Sequence, residues 1–241
     1  EGEWDNCCSL PSINNVTEWN IINNEFKHNT SVTAKSYPSG VQSGTNIMQA
    51  TCNNGIITYK GSLKFTTKNL SYTQTIPAGY SIGIDVYGGN GGGSSGCGYG
   101  GHVYGKRNAE QNTYTLNIYP GEAGKAGSPN HIEGGTVGAG GKSSAGCNGG
   151  DGHQGGYDNL YFGSGGGACS MIKYNNNIIL VAGGGGGYMN GCGADANSTS
   201  RGLGECGGNS GTNLGRKCDS PVNTNCDSIT VDNVKDLSGE T

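Results

Sequence analysis

Residues 134–156 read GGTVGAGGKSSAGCNGGDGHQGG and repeat with a period of three residues. Small residues, mostly glycine and serine, fill two of the three positions. The third position carries larger or more polar side chains, namely Thr136, Ala139, Lys142, Ala145, Asn148, Asp151, Gln154 and Tyr157. A polyproline II helix has three residues per turn and no internal hydrogen bonds, whereas helices and strands repeat every 3.6 and two residues. The stretch therefore predicts polyproline II segments in the interior of a bundle, with only the third position facing outward.

A flexible linker is the alternative, because glycine loses more backbone entropy on ordering than any other residue. Of the 49 glycines, 41 lie between residues 88 and 215. The net charge of only −4, the ten cysteines and the apolar runs between the glycine tracts argue against disorder. We therefore expect a glycine-rich β/polyproline II domain at 72–215. An Asn/Thr-rich β segment at 1–71 precedes it, and a Cys-containing tail at 216–241 follows, with an added strand at Ile229, Val231 and Val234.

Strand-like patterns separate the glycine tracts, and no capped 3.6-residue pattern is present. The predicted strands are 56–59 and 63–66, joined as a hairpin through 60–62; 72–76; 80–87; 113–119; and the hairpin 169–174 with 178–182 around Asn175, Asn176 and Asn177. The fold class expected is all-β with a glycine-rich polyproline II helix bundle, stapled by disulfides and with little or no α-helix.

The cysteines predict disulfides in an oxidising compartment, because the aliphatic core is small and the paired Cys-x₂₋₄-Cys spacing of zinc sites is missing. All ten are expected to pair: Cys7, Cys8, Cys52, Cys97, Cys147, Cys169, Cys192, Cys206, Cys218 and Cys226. Five lie in the glycine region and five in the flanks. If all pair within the chain, at least one bridge joins the two regions, but the sequence does not give the connectivity.

An extracellular or cell-surface, secreted glycoprotein is the predicted class. Sequons for N-glycosylation occur at Asn15, Asn29, Asn69 and Asn197. No signal sequence precedes Glu1, and we expect a mature, processed chain. No apolar run reaches the ~18 residues of a membrane span. With 14 basic and 18 acidic residues and no basic cluster, nucleic acid is not an expected partner.

Four stretches in order resemble the extracellular glycine-rich domain of the anaplastic lymphoma kinase and leukocyte tyrosine kinase receptors. They are IPAGYSIGIDVYGGNGGG at 76–93, YTLNIYPGEAG at 114–124, GGGACSMIKY at 165–174 and IILVAGGGGG at 178–187. The likeness covers roughly residues 72–190 and implies a β-scaffold with a bundle of polyproline II helices. Some phage tail-tip adhesins are similar in style. No kinase signature is present, and the cytokine-binding surface of the family does not carry over residue by residue.

The sequence contains only weak matches to catalytic, phosphate-binding and metal-binding motifs. The run Thr136–Ser143 ends like a phosphate-binding loop, but Thr136 replaces the first glycine and no strand or helix flanks the run. Asp151, His153 and Asp158 lack the nonapeptide period of calcium-binding glycine repeats, and Asp151 falls on the outward phase. A collagen triple helix needs one glycine in three with abundant proline, and the chain has six prolines. We expect no enzyme activity, no cofactor and no metal site.

Two functions remain open. The first is a structural protein that assembles with copies of itself into an extracellular fibre, surface layer or glycocalyx element through glycine-rich packing and strand addition. The second is a receptor ectodomain or adhesin module that binds a protein or glycan ligand. The loop residues expected to form such a binding surface are Lys106, Arg107, Tyr157, Tyr161 and Tyr188.

Overall fold

The computed structural model describes residues 7–66, 70–93, 98–129, 132–155 and 161–187. The chain divides into two compact units, Glu1–Thr66 and Thr67–Thr241. Every regular element in the described ranges is a β-strand, and these ranges contain no helix. The prediction of an all-β fold is confirmed, while the expected strand at Ile229, Val231 and Val234 lies outside the described residues.

Six strands are described in the first unit. They are β1 (Glu18–Trp19), β2 (Ser31–Ser36), β3 (Val41–Ser43), β4 (Gln49–Asn53), β5 (Ile56–Lys60) and β6 (Leu63–Phe65). β1, β2, β4 and β5 form a four-stranded antiparallel sheet in the order β1-β2-β4-β5. β3 and β6 form a separate antiparallel pair.

The hairpin of the first unit lies one turn earlier than the sequence analysis predicted. β5 pairs with β4 through Asn54-Gly55, and both turn residues have positive φ, 50° and 76°. A two-residue Asn-Gly loop with this geometry matches the twist of the strands, and it is the strongest short hairpin signal. The predicted hairpin through 60–62 is therefore wrong, because after β5 the chain leaves the sheet and β6 pairs with β3.

Side chains fill the core of the first unit. Phe26, Ala50 and the Cys8–Cys52 disulfide are buried, with Phe26 only 2% exposed. Trp19, Val32, Ile57 and Tyr59 pack around this cluster from one face of the sheet. The opposite face carries polar side chains. On that face the hydroxyls of exposed Ser31 and half-buried Thr51 form a hydrogen bond of 2.7 Å.

Eight strands are described in the second unit. They are β7 (Tyr72–Ile76), β8 (Ile82–Tyr87), β9 (His102–Arg107), β10 (Tyr114–Tyr119), β11 (Gln154–Gly155), β12 (Tyr161–Phe162), β13 (Ser170–Tyr174) and β14 (Asn177–Ala182). β14, β13, β10 and β7 form an antiparallel sheet in that order, and β8 pairs with β9 as a two-stranded ribbon. The predicted strands at 72–76, 80–87 and 113–119 and the 169–182 hairpin are confirmed within a few residues, with positive φ at Asn175 and Asn176.

The ribbon packs on the four-stranded sheet and encloses the main apolar core. Leu116, Ile172 and Leu180 of the sheet are buried with Val86 of the ribbon. Gly105 allows the close approach, because a Cβ atom there would lie 2.9 Å from both methyl carbons of Leu180. The inward alternation of Ile82, Ile84 and Val86 thus follows from the period of two along β8.

Seven glycine segments among the described residues run outside the strands of this unit. They are segments 1 to 7 in chain order: 88–93, 98–101, 120–129, 135–143, 147–153, 163–169 and 183–187. Segment 6 has the sequence GSGGGAC and exchanges backbone hydrogen bonds with segments 1, 3, 4, 5 and 7. The centre of the packed segments is therefore segment 6, and not the 134–156 stretch that the triplet pattern predicted as the interior.

Candidate functional site

Backbone hydrogen bonds join the glycine segments at every third residue. In segment 5, Gly149 N–H donates to Gly141 O at 2.9 Å and Gly152 N–H donates to Gly138 O at 2.8 Å, both in segment 4. Carbonyls of segment 5 accept from segment 6 in the next phase, at Cys147, Gly150 and His153. Segment 3 donates to segment 4 with the same spacing, from Glu122, Lys125 and Ser128 to Lys142, Ala139 and Thr136. Within one segment, the backbone groups at every third residue can therefore bond one neighbouring segment, while the groups one residue further along bond a second neighbouring segment.

Glycine is required at these positions because the backbones lie in contact. A Cβ atom built on Gly138 would collide with Lys125 O, and one built on Gly141 would collide with Glu122 O. A Cβ atom on Gly149 would collide with Gly166 O. Backbone atoms cannot move aside as the end of a side chain can, so no other residue fits these positions without separating the segments.

The third position of the triplet faces solvent. Thr136, Ala139, Lys142, Asn148 and Asp151 are exposed. The repeat does not form one continuous segment, however, because the chain turns at 144–146 with a φ of 90° at Gly146. Segments 4 and 5 are thus two antiparallel neighbours, and each presents its own outward row.

The run that ends like a phosphate-binding loop does not form a phosphate cradle. Gly140 N–H donates to Asp151 Oδ1 at 2.8 Å, and Ser143 N–H donates to Asn148 Oδ1 at 2.8 Å. Side-chain oxygens of segment 5 therefore occupy two of the donors that would hold a phosphate. Asp151 is exposed, as its outward phase predicts, and its carboxylate also fixes segment 5 to segment 4.

Two of the predicted disulfides are formed by described cysteines. Cys8 joins Cys52 with Cα atoms 5.7 Å apart, and Cys147 joins Cys169 with Cα atoms 5.6 Å apart, which staples segment 5 to segment 6. Cys7, expected in a disulfide, is an exposed free thiol within the described residues, because its neighbour Cys8 is the one turned into the core. The remaining cysteines lie outside the described residues: Cys97, Cys192, Cys206, Cys218 and Cys226.

Two of the four sequons are described, and both lie in turns. Asn15 is half-buried with a φ of 68°, and Asn29 is exposed with a φ of 57°. Asn29 therefore has the accessibility that glycosylation needs. Asn69 and Asn197 lie outside the described residues.

The described residues of the predicted loop-borne binding surface lie in strands and not in loops. Lys106 is exposed, but it and Arg107 belong to strand β9. Adjacent strand residues face opposite sides, so only one of the two can point outward. Tyr161 lies in β12, its side chain is not described, and Tyr157 and Tyr188 lie outside the described residues.

Arg107 belongs to a cluster with Tyr114, Tyr174 and Glu110, and its predicted role in ligand binding stays a prediction. Its guanidinium lies 4.8 Å from the ring centroid of Tyr114 and 4.3 Å from that of Tyr174, and it forms an ion pair with Glu110. Burial raises the pKa of Tyr114, and the positive charge of Arg107 partly opposes that rise. These contacts direct the Arg107 guanidinium toward the rings of Tyr114 and Tyr174, which belong to the apolar core.

An exposed aromatic surface on β8 and β9 was missed by the sequence analysis. We define the ribbon face as the outward side chains of Asp85, Tyr87, His102, Tyr104 and Lys106. The rings of Tyr87 and His102 stack with centroids 4.2 Å apart and planes inclined by 7°. His102 Nε2 lies 2.8 Å from Asp85 Oδ1. The alternation of β8 could have indicated it, since Asp85 and Tyr87 occupy the positions between the buried-face residues.

Comparisons of the chain with protein-family models, curated proteins and solved structures find no match. The resemblance to the glycine-rich receptor domains therefore stays a prediction. In the described part of the chain, no helix is long and apolar enough to cross a membrane. The same part of the chain contains no group of three or more His, Cys, Asp or Glu residues placed to hold a metal ion.

Proposed function

We infer that the seven glycine segments are polyproline II helices packed as one stapled bundle. The support is the period of three in their backbone hydrogen bonds, which run between segments and not within them. NMR couplings and chemical shifts at Gly138 and Gly149 are expected to give φ near −75°, the polyproline II value. Dihedrals of β-strand or left-handed type at these residues would contradict the inference.

We propose that the protein is a secreted, non-enzymatic structural protein that assembles with copies of itself into a fibre, surface layer or glycocalyx element. Disulfides in both units are compatible with an extracellular location. The bundle supplies a stiff body, since its interior consists of backbone in contact with backbone. The observation that carries the proposal is that β5 is an edge strand of the first sheet among the described residues.

The direction of the backbone groups along this edge follows from the bonds of β4. Cys52 N–H donates to Thr30 O at 2.9 Å, and Cys52 O accepts from Asn29 N–H at 2.9 Å, so both groups point away from β5. Ile57 is opposite Cys52 in the antiparallel register, and its own backbone groups therefore point away from β4. On that side β5 pairs with no described strand. A strand of a second copy can add there.

The test is the association state of the purified chain and of an Ile56→Lys/Thr58→Lys variant. Both side chains are exposed on β5, with Ile56 65% exposed, so the fold does not depend on them. Lysines on an edge strand disfavour strand addition, because neighbouring copies would bring like charges together. Light scattering is expected to show concentration-dependent growth of the wild type, negative-stain imaging to show assemblies, and the variant to remain smaller.

Ile22→Lys is the matched control, because Ile22 is 82% exposed and lies outside the strands. It adds one positive charge, against two in the edge variant, without touching the edge, and it should assemble as the wild type does. A wild-type chain that stays monomeric at all concentrations would contradict the assembly proposal. Equal assembly of all three proteins would mean that the interface between copies does not involve the β5 edge.

A receptor ectodomain or adhesin module is the second candidate. The observation that favours it is the ribbon face, where Tyr87 is 62% and Tyr104 is 56% exposed on the same side of one ribbon. Exposed tyrosines gathered on a rigid element are typical of recognition surfaces, because they offer large contact area at low conformational cost.

A further inference from the structure

We propose that the ribbon face binds a neutral polysaccharide built of β-1,4-linked hexoses, by stacking sugar rings on Tyr87 and Tyr104. The proposal stands whether or not the chain assembles, since it concerns a surface of the second unit alone. Neither the disulfides nor the glycine segments require two exposed tyrosines at these positions. Their placement with Asp85 and Lys106 therefore calls for a separate explanation.

Tyr87 is oriented before any ligand arrives. One side of its ring stacks on His102 at 4.2 Å, and His102 is held in turn by Asp85 at 2.8 Å. Tyr87 is nevertheless 62% exposed, so much of the residue remains accessible to a ligand. A ring fixed in this way loses little freedom when a ligand stacks on it, which favours binding.

Tyr104 forms the second platform beside the first. A Cβ atom at Gly83 would lie 3.0 Å from Tyr104 Oη and 3.2 Å from its ring carbon Cε2, so the ring covers bare backbone at Gly83. Tyr104 is opposite Asp85 in the ribbon register, and His102 is opposite Tyr87. The two tyrosines are therefore diagonal neighbours on one side of the ribbon, at a separation of roughly 7–8 Å between backbones.

The chemistry of the face fits a neutral sugar chain. A hexose with equatorial substituents has C–H groups on both broad sides, which suit an aromatic ring, and hydroxyls around its rim. The rim hydroxyls can bond Asp85 and Lys106, both exposed on the same face. A purely apolar partner would bury those charges without partners at a large cost. An acidic polymer would meet the Asp85 carboxylate and a chain of net charge −4.

The experiment uses the full chain and two insoluble polymers, microcrystalline cellulose and chitin, followed by calorimetric titration with cellohexaose and chitohexaose. The wild type is expected to bind at least one polymer and its hexamer. Tyr87→Ala and Tyr104→Ala should each weaken binding about tenfold, the loss that ~1.4 kcal/mol produces. Tyr87→Phe keeps the ring and should recover most of the binding that Tyr87→Ala loses. Ile56→Ala removes exposed apolar surface from the other unit and should also leave binding unchanged.

Far-UV circular dichroism of each variant separates loss of binding from loss of fold. No binding of the wild type to either polymer would overturn the proposal. Equal binding by the wild type and both alanine variants would overturn it too, because the sugar would then lie elsewhere. Self-association that Tyr87→Ala abolishes in the absence of sugar would assign the face to a second copy of the chain and reject the polysaccharide.

Discussion

In the first unit, side chains fill the space between backbone segments, whereas in the glycine bundle the backbone itself does so. Phe26, Ala50 and the Cys8–Cys52 disulfide occupy the interior of the first unit, against one face of its sheet. In the bundle, a single added methyl group at Gly141 or Gly149 would collide with a carbonyl oxygen of a neighbouring segment. The first unit is thus stabilised mainly by apolar burial and the bundle mainly by hydrogen bonds between segments.

The difference explains how the two regions use sequence. Where side chains form the interior, the residues can change as long as volume and polarity are kept. Where backbone forms the interior, the inward phases must be glycine or nearly so, and only the outward phase can vary. Segment 6 is the clearest example, because it is hydrogen-bonded to five neighbouring segments and contains no large residue.

The largest expected effect is that of Gly141→Val or Gly149→Val. Each side chain would have to displace a backbone carbonyl, at Glu122 or Gly166, so we expect loss of the folded bundle. The cost should exceed the ~1–3 kcal/mol of ordinary overpacking. Chemical unfolding followed by circular dichroism measures it.

Lys142→Val is the control for both glycine variants, because Lys142 is adjacent to Gly141 and exposed. It should change the free energy of unfolding by no more than about 0.5 kcal/mol. Equal tolerance at residues 141, 142 and 149 would show that the triplet phase has no structural meaning.

Phe26→Ala is the corresponding test of the first unit. Phe26 is 2% exposed, and its removal leaves a cavity that should cost about 3–5 kcal/mol. The loss should appear in amides of the first unit, while those of the bundle keep their protection in hydrogen exchange. A uniform loss in both units would mean that they do not unfold independently.

Removal of the Cys147–Cys169 disulfide by a double serine substitution should cost about 3 kcal/mol, the chain-entropy value for its 22-residue separation. The Cys8–Cys52 bridge spans 44 residues and should be worth slightly more. Calorimetry of the two double variants compares them. A much smaller loss for Cys147–Cys169 would mean that the hydrogen bonds between segments 5 and 6 hold them without the staple.

The smallest expected effect concerns Tyr114 at alkaline pH. Burial raises its pKa above the ordinary 10.0, so the fold favours the neutral hydroxyl. That contribution is complete below pH 10 and is lost as the pH rises through the higher pKa of the folded state. Burial acts on Tyr72 in the same direction, so Tyr114→Phe should remove only part of the alkaline destabilisation. Urea unfolding at several alkaline pH values measures it, and an unchanged pH dependence in the variant would contradict the assignment.

Much of the fold was predictable because strand periodicity and the triplet phase are local signals. The strands at 72–76 and 113–119 follow directly from alternation, and the outward row at Lys142, Asn148 and Asp151 follows from the period of three. The centre of the bundle was misplaced because a segment with one bulky phase has one exposed side. A segment small in all three phases, such as 163–169, is the one that neighbours can surround.

The candidate site was less predictable because it depends on strand pairing. Tyr87 and His102 are 15 residues apart in sequence, and only the register of β8 with β9 places them opposite each other. Lys106 and Arg107 are adjacent in sequence, yet the same register sends one to solvent and the other into the Tyr114–Tyr174 cluster. Strand pairing therefore decides which residues form the ribbon face.

Amide hydrogen exchange across segments 4 and 5, followed residue by residue by NMR, tests the central claim most directly. Gly138, Gly141, Gly149 and Gly152 donate to neighbouring segments and should exchange slowly. Asn148 and Asp151 lie on the outward phase and should exchange fast. In segment 5 this arrangement predicts slow exchange at every third residue. In segment 4, Gly140 and Ser143 should also be protected, because they donate to Asp151 Oδ1 and Asn148 Oδ1. Uniformly fast exchange, or protection in segment 5 without the period of three, would contradict the packing of the bundle.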